Sequence, residues 1–138
     1  MSAPYILDAC ALLAVLSNEP GADMVIEVIK KAASGEVILT ISKVNLLEIY
    51  YGLFRVYGKA HADAFLGEAK RSPITINHQL SDEVLIEAGR LKATYKMSLA
   101  DSIALAEASV SGGTLLTADH HEFDAVEKKE SIAFLWIR

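Results

Sequence analysis

The sequence predicts an α/β fold: three layers, α/β/α, around a central, mostly parallel sheet. Two observations carry this reading. Short apolar runs rich in β-branched residues alternate with longer stretches of helical periodicity, the pattern of parallel strands joined by crossover helices. The chain has 138 residues, enough for one domain spanning 1–138 to bury a core of its own. No repeat, low-complexity tract or linker interrupts it.

Tyr5-Ile6-Leu7 is the first strand candidate. A helix from about Cys10 to Leu16 follows and breaks at Asn18-Glu19-Pro20-Gly21. Ala22 to Ala33 reads as a second helix, stopped by Ser34-Gly35. Val37 to Ile41 is a β-branched strand candidate. Ser42 is placed to cap a helix that runs to about Tyr57, where Gly58 ends it. Ala60 to Lys70 is helical, and Ile74-Thr75-Ile76 reads as a strand. Ser81 or Asp82 opens a helix to about Lys96. Ser98 opens another, ended by Gly112-Gly113. Thr114 to Thr117 and Ile132 to Ile137 are the last strand candidates.

Composition excludes several classes. A hydrophobic fraction of 52% argues against disorder. The longest apolar run, Ala9 to Leu16, is far short of the roughly 20 residues that span a bilayer. It follows no basic residue, so it does not resemble a signal peptide, and no membrane association is expected. The single cysteine, Cys10, rules out an internal disulfide and suits a reducing, cytoplasmic setting. The net charge of −5 argues at first against nucleic acid as a partner. Four carboxylates in unusual places account for most of it.

Those four are Asp8, Glu48, Asp101 and Asp119. Asp8 follows Tyr5-Ile6-Leu7, and Asp119 follows Thr114-Leu115-Leu116-Thr117-Ala118. Glu48 lies within Val44-Asn45-Leu46-Leu47-Glu48-Ile49-Tyr50, and Asp101 within Leu99-Ala100-Asp101-Ser102-Ile103. An unpaired buried carboxylate costs several kcal/mol or protonates. Four beside apolar segments point to a shared compensating charge, most simply a divalent cation. Two follow strands and two fall near helix starts. In parallel sheets ligands bind beyond the carboxyl ends of the strands, so the four can meet on one rim.

Each acid also has a plainer reading. Asp8 suits a helix N-cap, and Asp119 suits a cap or turn. Ser98-Leu99-Ala100-Asp101 fits a capping box, but the helix it opens is apolar around most of its circumference and is expected to be buried. Glu48 sits on a mixed face that suits a solvated side chain. Glu19, Glu122 and Asp124 read as surface acids, Asp124 being the best placed of them as a further ligand beside Asp119. Thr117 and Ser98 are candidate supporting hydroxyls. His120 and His121 lack zinc-site spacing. Cys10 reads as a small buried side chain. Tyr50, Tyr51, Phe54 and Tyr57 follow helical spacing and read as core or helix–helix contact.

Four segments together carry a resemblance. They are Ile6-Leu7-Asp8-Ala9-Cys10-Ala11-Leu12, Ile41-Ser42-Lys43-Val44-Asn45-Leu46-Leu47-Glu48, Ser98-Leu99-Ala100-Asp101-Ser102-Ile103-Ala104-Leu105-Ala106 and Leu116-Thr117-Ala118-Asp119. In this order and spacing the chain resembles the PIN-domain family, and more narrowly the VapC-type toxin ribonucleases of prokaryotic toxin–antitoxin pairs. Asn18-Glu19-Pro20-Gly21 resembles that family's turn after the first helix, and His120 to Phe123 its run after the last aspartate. Cys10 departs from the pattern, where the family usually shows a small hydroxyl residue.

The resemblance implies an endoribonuclease that uses Mg²⁺, or Mn²⁺ in its place, with Asp8, Glu48, Asp101 and Asp119 as catalytic metal ligands. It also implies an RNA substrate, single-stranded or structured, a homodimer, and a cognate antitoxin protein seated in an apolar groove for which Tyr50, Leu53 and Phe54 are candidates. Magnesium prefers hard oxygen ligands in octahedral array. Four carboxylates leave coordination positions for water and phosphate oxygens, which suits phosphodiester cleavage. An RNA-processing nuclease outside a toxin–antitoxin pair shares this chemistry, and a non-catalytic PIN-like module would keep only the scaffold. A response-regulator phosphotransfer domain would need adjacent acids after the first strand, and a haloacid-type phosphatase an aspartate where Cys10 stands.

Overall fold

The computed structural model describes residues 3–138. Strands β1 (Tyr5–Leu7), β2 (Leu39–Ser42), β3 (Thr75–Asn77), β4 (Thr114–Thr117) and β5 (Ala133–Trp136) form one sheet in the order β3-β2-β1-β4-β5. Every neighbouring pair is parallel, so the sheet is wholly parallel rather than mostly so. Helices α1 (Ala9–Leu16), α2 (Ala22–Ala33), α3 (Lys43–Tyr57), α4 (Lys59–Arg71), α5 (Asp82–Thr94), α6 (Leu99–Ser111) and α7 (His120–Lys129) connect the strands.

Side-chain alternation along the strands divides the interior into two cores, giving the expected three layers. Leu7, Leu39, Ile41 and Leu116 pack with Ala11 and Leu12 of α1, Val25 of α2, Leu46 and Ile49 of α3 and Phe65 of α4. Their neighbours Ile6 and Leu115 face the other way, onto Val84 and Leu91 of α5, Ile103 and Leu105 of α6, and Phe123 and Val126 of α7. A parallel sheet covered on both faces needs apolar residues at consecutive positions, which is why its strands read as continuous apolar runs.

Most elements lie where the sequence places them, with shifted ends. Helix α1 starts one residue early because Asp8 is its N-cap. Strand β2 begins at Leu39 rather than Val37, and α5 stops at Thr94. Helix α7 is an addition, absent from the sequence reading. Only Phe123 and Val126 of its ten residues are buried, too few apolar positions to announce a helical period. The aromatic row of α3 is a correction. Tyr51, Phe54 and Tyr57 are exposed, because α3 buries its other side through Asn45, Leu46 and Ile49. Two of the row do meet α4: the Tyr50 hydroxyl donates to Asp63 at 2.6 Å, and Tyr57 stacks on His61.

The sheet order sets the location of the site. From β1 the chain proceeds outward through β2 to β3, then returns to β4 on the opposite side of β1. The switch point lies between β1 and β4, and in open parallel sheets ligands bind at such a point, beyond the carboxyl ends of the strands. Asp8 and Asp119 follow those two strands. Among the described residues no helix is long and apolar enough to cross a membrane.

Candidate functional site

Asp8 lies just past the carboxyl end of β1, at this switch point, and is fully buried. Its Oδ1 accepts from the Ala11 N–H at 2.7 Å, the N-cap bond of α1. Its Oδ2 accepts from the Thr117 hydroxyl at the end of β4. Burial pushes the Asp8 carboxyl up to about 7, against the pull of both hydrogen bonds, and Asp101 and Asp119 add repulsion. The capping and cluster readings of Asp8 are therefore compatible, since the cap bond holds the carboxylate still against the acids that repel it.

Asp101 is half-buried in the first turn of α6. Ser98 caps that helix, its hydroxyl accepting from the Asp101 N–H at 3.1 Å. Burial pushes the Asp101 carboxyl up to about 6, with further repulsion from Asp119, Glu48 and Glu122 and an opposing hydrogen bond from Ser98. Glu48, also half-buried, is raised by burial and then by Asp119. Asp119 caps α7, its Oδ1 accepting from the Glu122 N–H at 3.1 Å, and its own N–H donates to Thr117 Oγ1 at 3.0 Å. Thr117 thus links Asp8 to Asp119 through one hydroxyl.

Two of the four expected acids, Asp101 and Asp119, form a compact set with Glu122, and Asp8 and Glu48 fall outside it. Asp101, Asp119 and Glu122 each offer an oxygen within 4.8 Å of the other two. From the sequence, Glu122 reads as a surface acid. It comes to the group because α7, whose existence the sequence did not signal, folds its first turn back over Asp119. Asp124 points elsewhere and pairs with His120 Nδ1 at 2.8 Å. His120 Nε2 contacts the Arg138 carbonyl, and the ring stacks on Trp136, so His120 is engaged away from the acids. Cys10 is half-buried, and burial pushes its thiol up to about 11, which leaves it protonated and a poor nucleophile or ligand.

The donor set fits a hard divalent cation. It consists of carboxylate oxygens, with no thiolate and no imidazole. Among the described residues, none of Asp8, Glu48, Asp101, Asp119 and Glu122 forms an ion pair with a lysine, arginine or histidine. Asp8, Glu48 and Asp101 are each raised by burial and by like-charged neighbours without an ion-pair partner, which suits a site whose negative charge is left to an external cation.

The PIN domain family model matches residues 5–129. No curated protein matches the chain. Among solved structures, the chain is similar to a toxin–antitoxin complex from Klebsiella pneumoniae at 18% identity and TM-score 0.67, covering 97% of this chain and 98% of that one. It is similar to VapBC2 from Rickettsia felis, bound to a DNA fragment from its promoter, at 17% identity and TM-score 0.72 over 96% and 97% of the two chains. It is also similar to Mycobacterium tuberculosis VapC20, described as a sarcin-ricin loop cleaving toxin, at 15% identity and TM-score 0.66 over 88% and 94%.

Proposed function

Since the chain belongs to the PIN-domain family, we propose that it is a divalent-metal-dependent endoribonuclease and the toxin of a type II toxin–antitoxin pair. The observation that carries the proposal is the group of Asp101, Asp119 and Glu122, two of which repel buried Asp8, with no ion pair to a cationic side chain among the described residues. Asp8, Glu48, Asp101 and Asp119 hold Mg²⁺, with Mn²⁺ as a substitute, and Glu122 joins them. When bound, the cation neutralises the scissile phosphate and lowers the pKa of an attacking water.

The chain's own residues supply the order this chemistry needs. Thr117 and the α1 N-terminus fix both oxygens of Asp8. Ser98 fixes the helix turn that presents Asp101. The cap bond of α7 and the Thr117 hydroxyl hold Asp119 in place. The Cys10 thiol is held protonated and does not compete as a nucleophile. The substrate is RNA, where single-stranded or looped segments present an accessible backbone.

The toxin assignment draws on the neighbours: one is described as a toxin–antitoxin complex, one as a member of the VapBC family of toxin–antitoxin systems, and three as VapBC structures. That likeness supports a cognate antitoxin as partner, and a homodimer in the cytoplasm belongs to the same proposal. A groove of about 620 Å³ between the end of α1 and helices α3 and α4, lined by Leu16, Leu53, Tyr57, Ala64 and Phe65 with Ser17, His61 and Glu68 as its polar members, suits a helical partner segment; of the three expected groove residues it takes Leu53 but not Tyr50 or Phe54. Cleavage of single-stranded RNA by the pure protein with Mg²⁺ or Mn²⁺, and loss of cleavage in EDTA, is the expected result. Undiminished cleavage in excess chelator overturns the metal mechanism.

A further inference from the structure

We infer that Asn45 is a positioning residue for the acid cluster, a single carboxamide that sets the spacing of Asp8, Glu48 and Asp101 before any cation arrives. The inference rests on the metal-dependent reading above and extends it to a residue that touches neither cation nor substrate.

Asn45 is fully buried in the first turn of α3. Its Oδ1 accepts from the Ala9 N–H at 3.2 Å. Its Nδ2 donates to Ser42 Oγ at 2.6 Å and to the Ala100 carbonyl at 3.3 Å. Ala9 follows Asp8, and Ala100 precedes Asp101. Glu48 stands three residues further along α3, on the same helix face as Asn45. One side chain therefore joins the backbone next to two of the acids to the helix that carries a third.

The amide has one workable orientation. Turned over, it would set a donor against the Ala9 N–H and an acceptor against the Ala100 carbonyl. Both hydrogens and the oxygen of the group are used, and the Ser42 hydroxyl that anchors it also accepts from the Asn45 backbone N–H at 3.0 Å. The Ala9 N–H is one of the donors a helix start leaves without an internal partner, and Asn45 supplies that partner from 36 residues away. Carboxylates that repel one another drift apart unless their backbones are tied, and Asn45 ties the first turns of α1 and α6 to α3. Metal sites depend on such outer contacts to hold their ligands at binding distance.

A purely structural asparagine predicts lost stability and nothing more, so the test separates stability from metal affinity. Mn²⁺ binding by calorimetry and thermal melting in EDTA are measured on wild type, Asn45→Ala and Glu107→Gln. Glu107 is the control because it makes a buried polar contact, to Asn77 at 2.6 Å, on the same helix as Asp101 but outside the cluster. Folded Asn45→Ala is expected to bind Mn²⁺ about tenfold to a hundredfold more weakly than wild type, while Glu107→Gln binds as wild type whatever its melting temperature. Wild-type affinity in folded Asn45→Ala overturns the inference and leaves the metal reading standing. A wild type that binds no Mn²⁺ overturns both. If Asn45→Ala does not fold, Ser42→Ala, which removes the hydroxyl holding the amide, takes its place with the same two outcomes.

Discussion

At the scale of single residues, the site is governed by how burial and like charge act on carboxylates. Asp8 at about 7 and Asp101 at about 6 hold protons near neutrality when no cation is present. A cation must displace those protons, so binding releases them and strengthens with pH. Apparent Mn²⁺ affinity is expected to climb steeply from pH 5.5 to about 7.5, a range set by these two values. Calorimetry in buffers of different ionisation enthalpy measures the proton release, and an affinity flat across that range contradicts the assignment. Asp8→Asn keeps the shape of the residue, and its side chain still accepts the cap bond, but it removes the buried charge. Cleavage should fall by orders of magnitude while far-UV dichroism stays that of wild type.

At the scale of elements, two features link packing to function. Helix α7 is held by two buried side chains, Phe123 and Val126, yet it orients Asp119 and delivers Glu122. Phe123→Ala leaves a cavity beneath it and should cost about 3–5 kcal/mol. Because the loss falls beside the acids, Mn²⁺ affinity should decline with it. Titration of the folded variant reads this directly, and unchanged affinity would mean that α7 contributes nothing to the site. Helix α3 presents the second feature, its outward aromatic row beside the cavity lined by Leu53. Leu53→Glu should impair antitoxin binding or dimerisation more than cleavage. Unchanged binding together with unchanged mass in solution removes this surface from consideration.

These elements also show what a sequence can and cannot reveal. The strands of a doubly covered sheet announce themselves as consecutive apolar residues, as at Ile6-Leu7 and Leu115-Leu116, and the helix caps at Ser42 and Ser98 carry their own signals. Asp8, Glu48, Asp101 and Asp119 stood out because charge beside apolar sequence is costly. Glu122 did not, because nothing in His120-His121-Glu122-Phe123 distinguishes a turn that folds inward from a solvated one. Asn45 did not either, since its partners Ala9 and Ala100 are backbone groups distant in sequence. The aromatic row of α3 has helical spacing whether it faces in or out, and the buried side of a helix is decided by what packs against it.

At the scale of the whole molecule, the cluster makes stability depend on pH and, under the proposed function, on metal. Asp8 and Asp101 have folded-state values raised above the ordinary 3.8, so the unfolded chain binds fewer protons than the folded one between pH 4 and 7. Their contribution is fully present below pH 4 and is lost as pH rises through about 6 and about 7. Above that range the metal-free protein carries the repulsion of its own site. A cation that binds only the folded state restores stability in proportion to its excess over Kd.

The central claim is that these acids are assembled for a cation rather than for helix capping, and thermal melting of wild type and Asp101→Asn at pH 8, each in EDTA and in Mg²⁺, tests it most directly. In EDTA the mutant should equal or exceed wild type, by about 1 kcal/mol, because one repelling charge is gone. Mg²⁺ should raise the melting temperature of wild type and move the mutant much less. A mutant less stable than wild type in EDTA, with a wild type indifferent to Mg²⁺, contradicts the account and makes Asp101 a helix-capping residue.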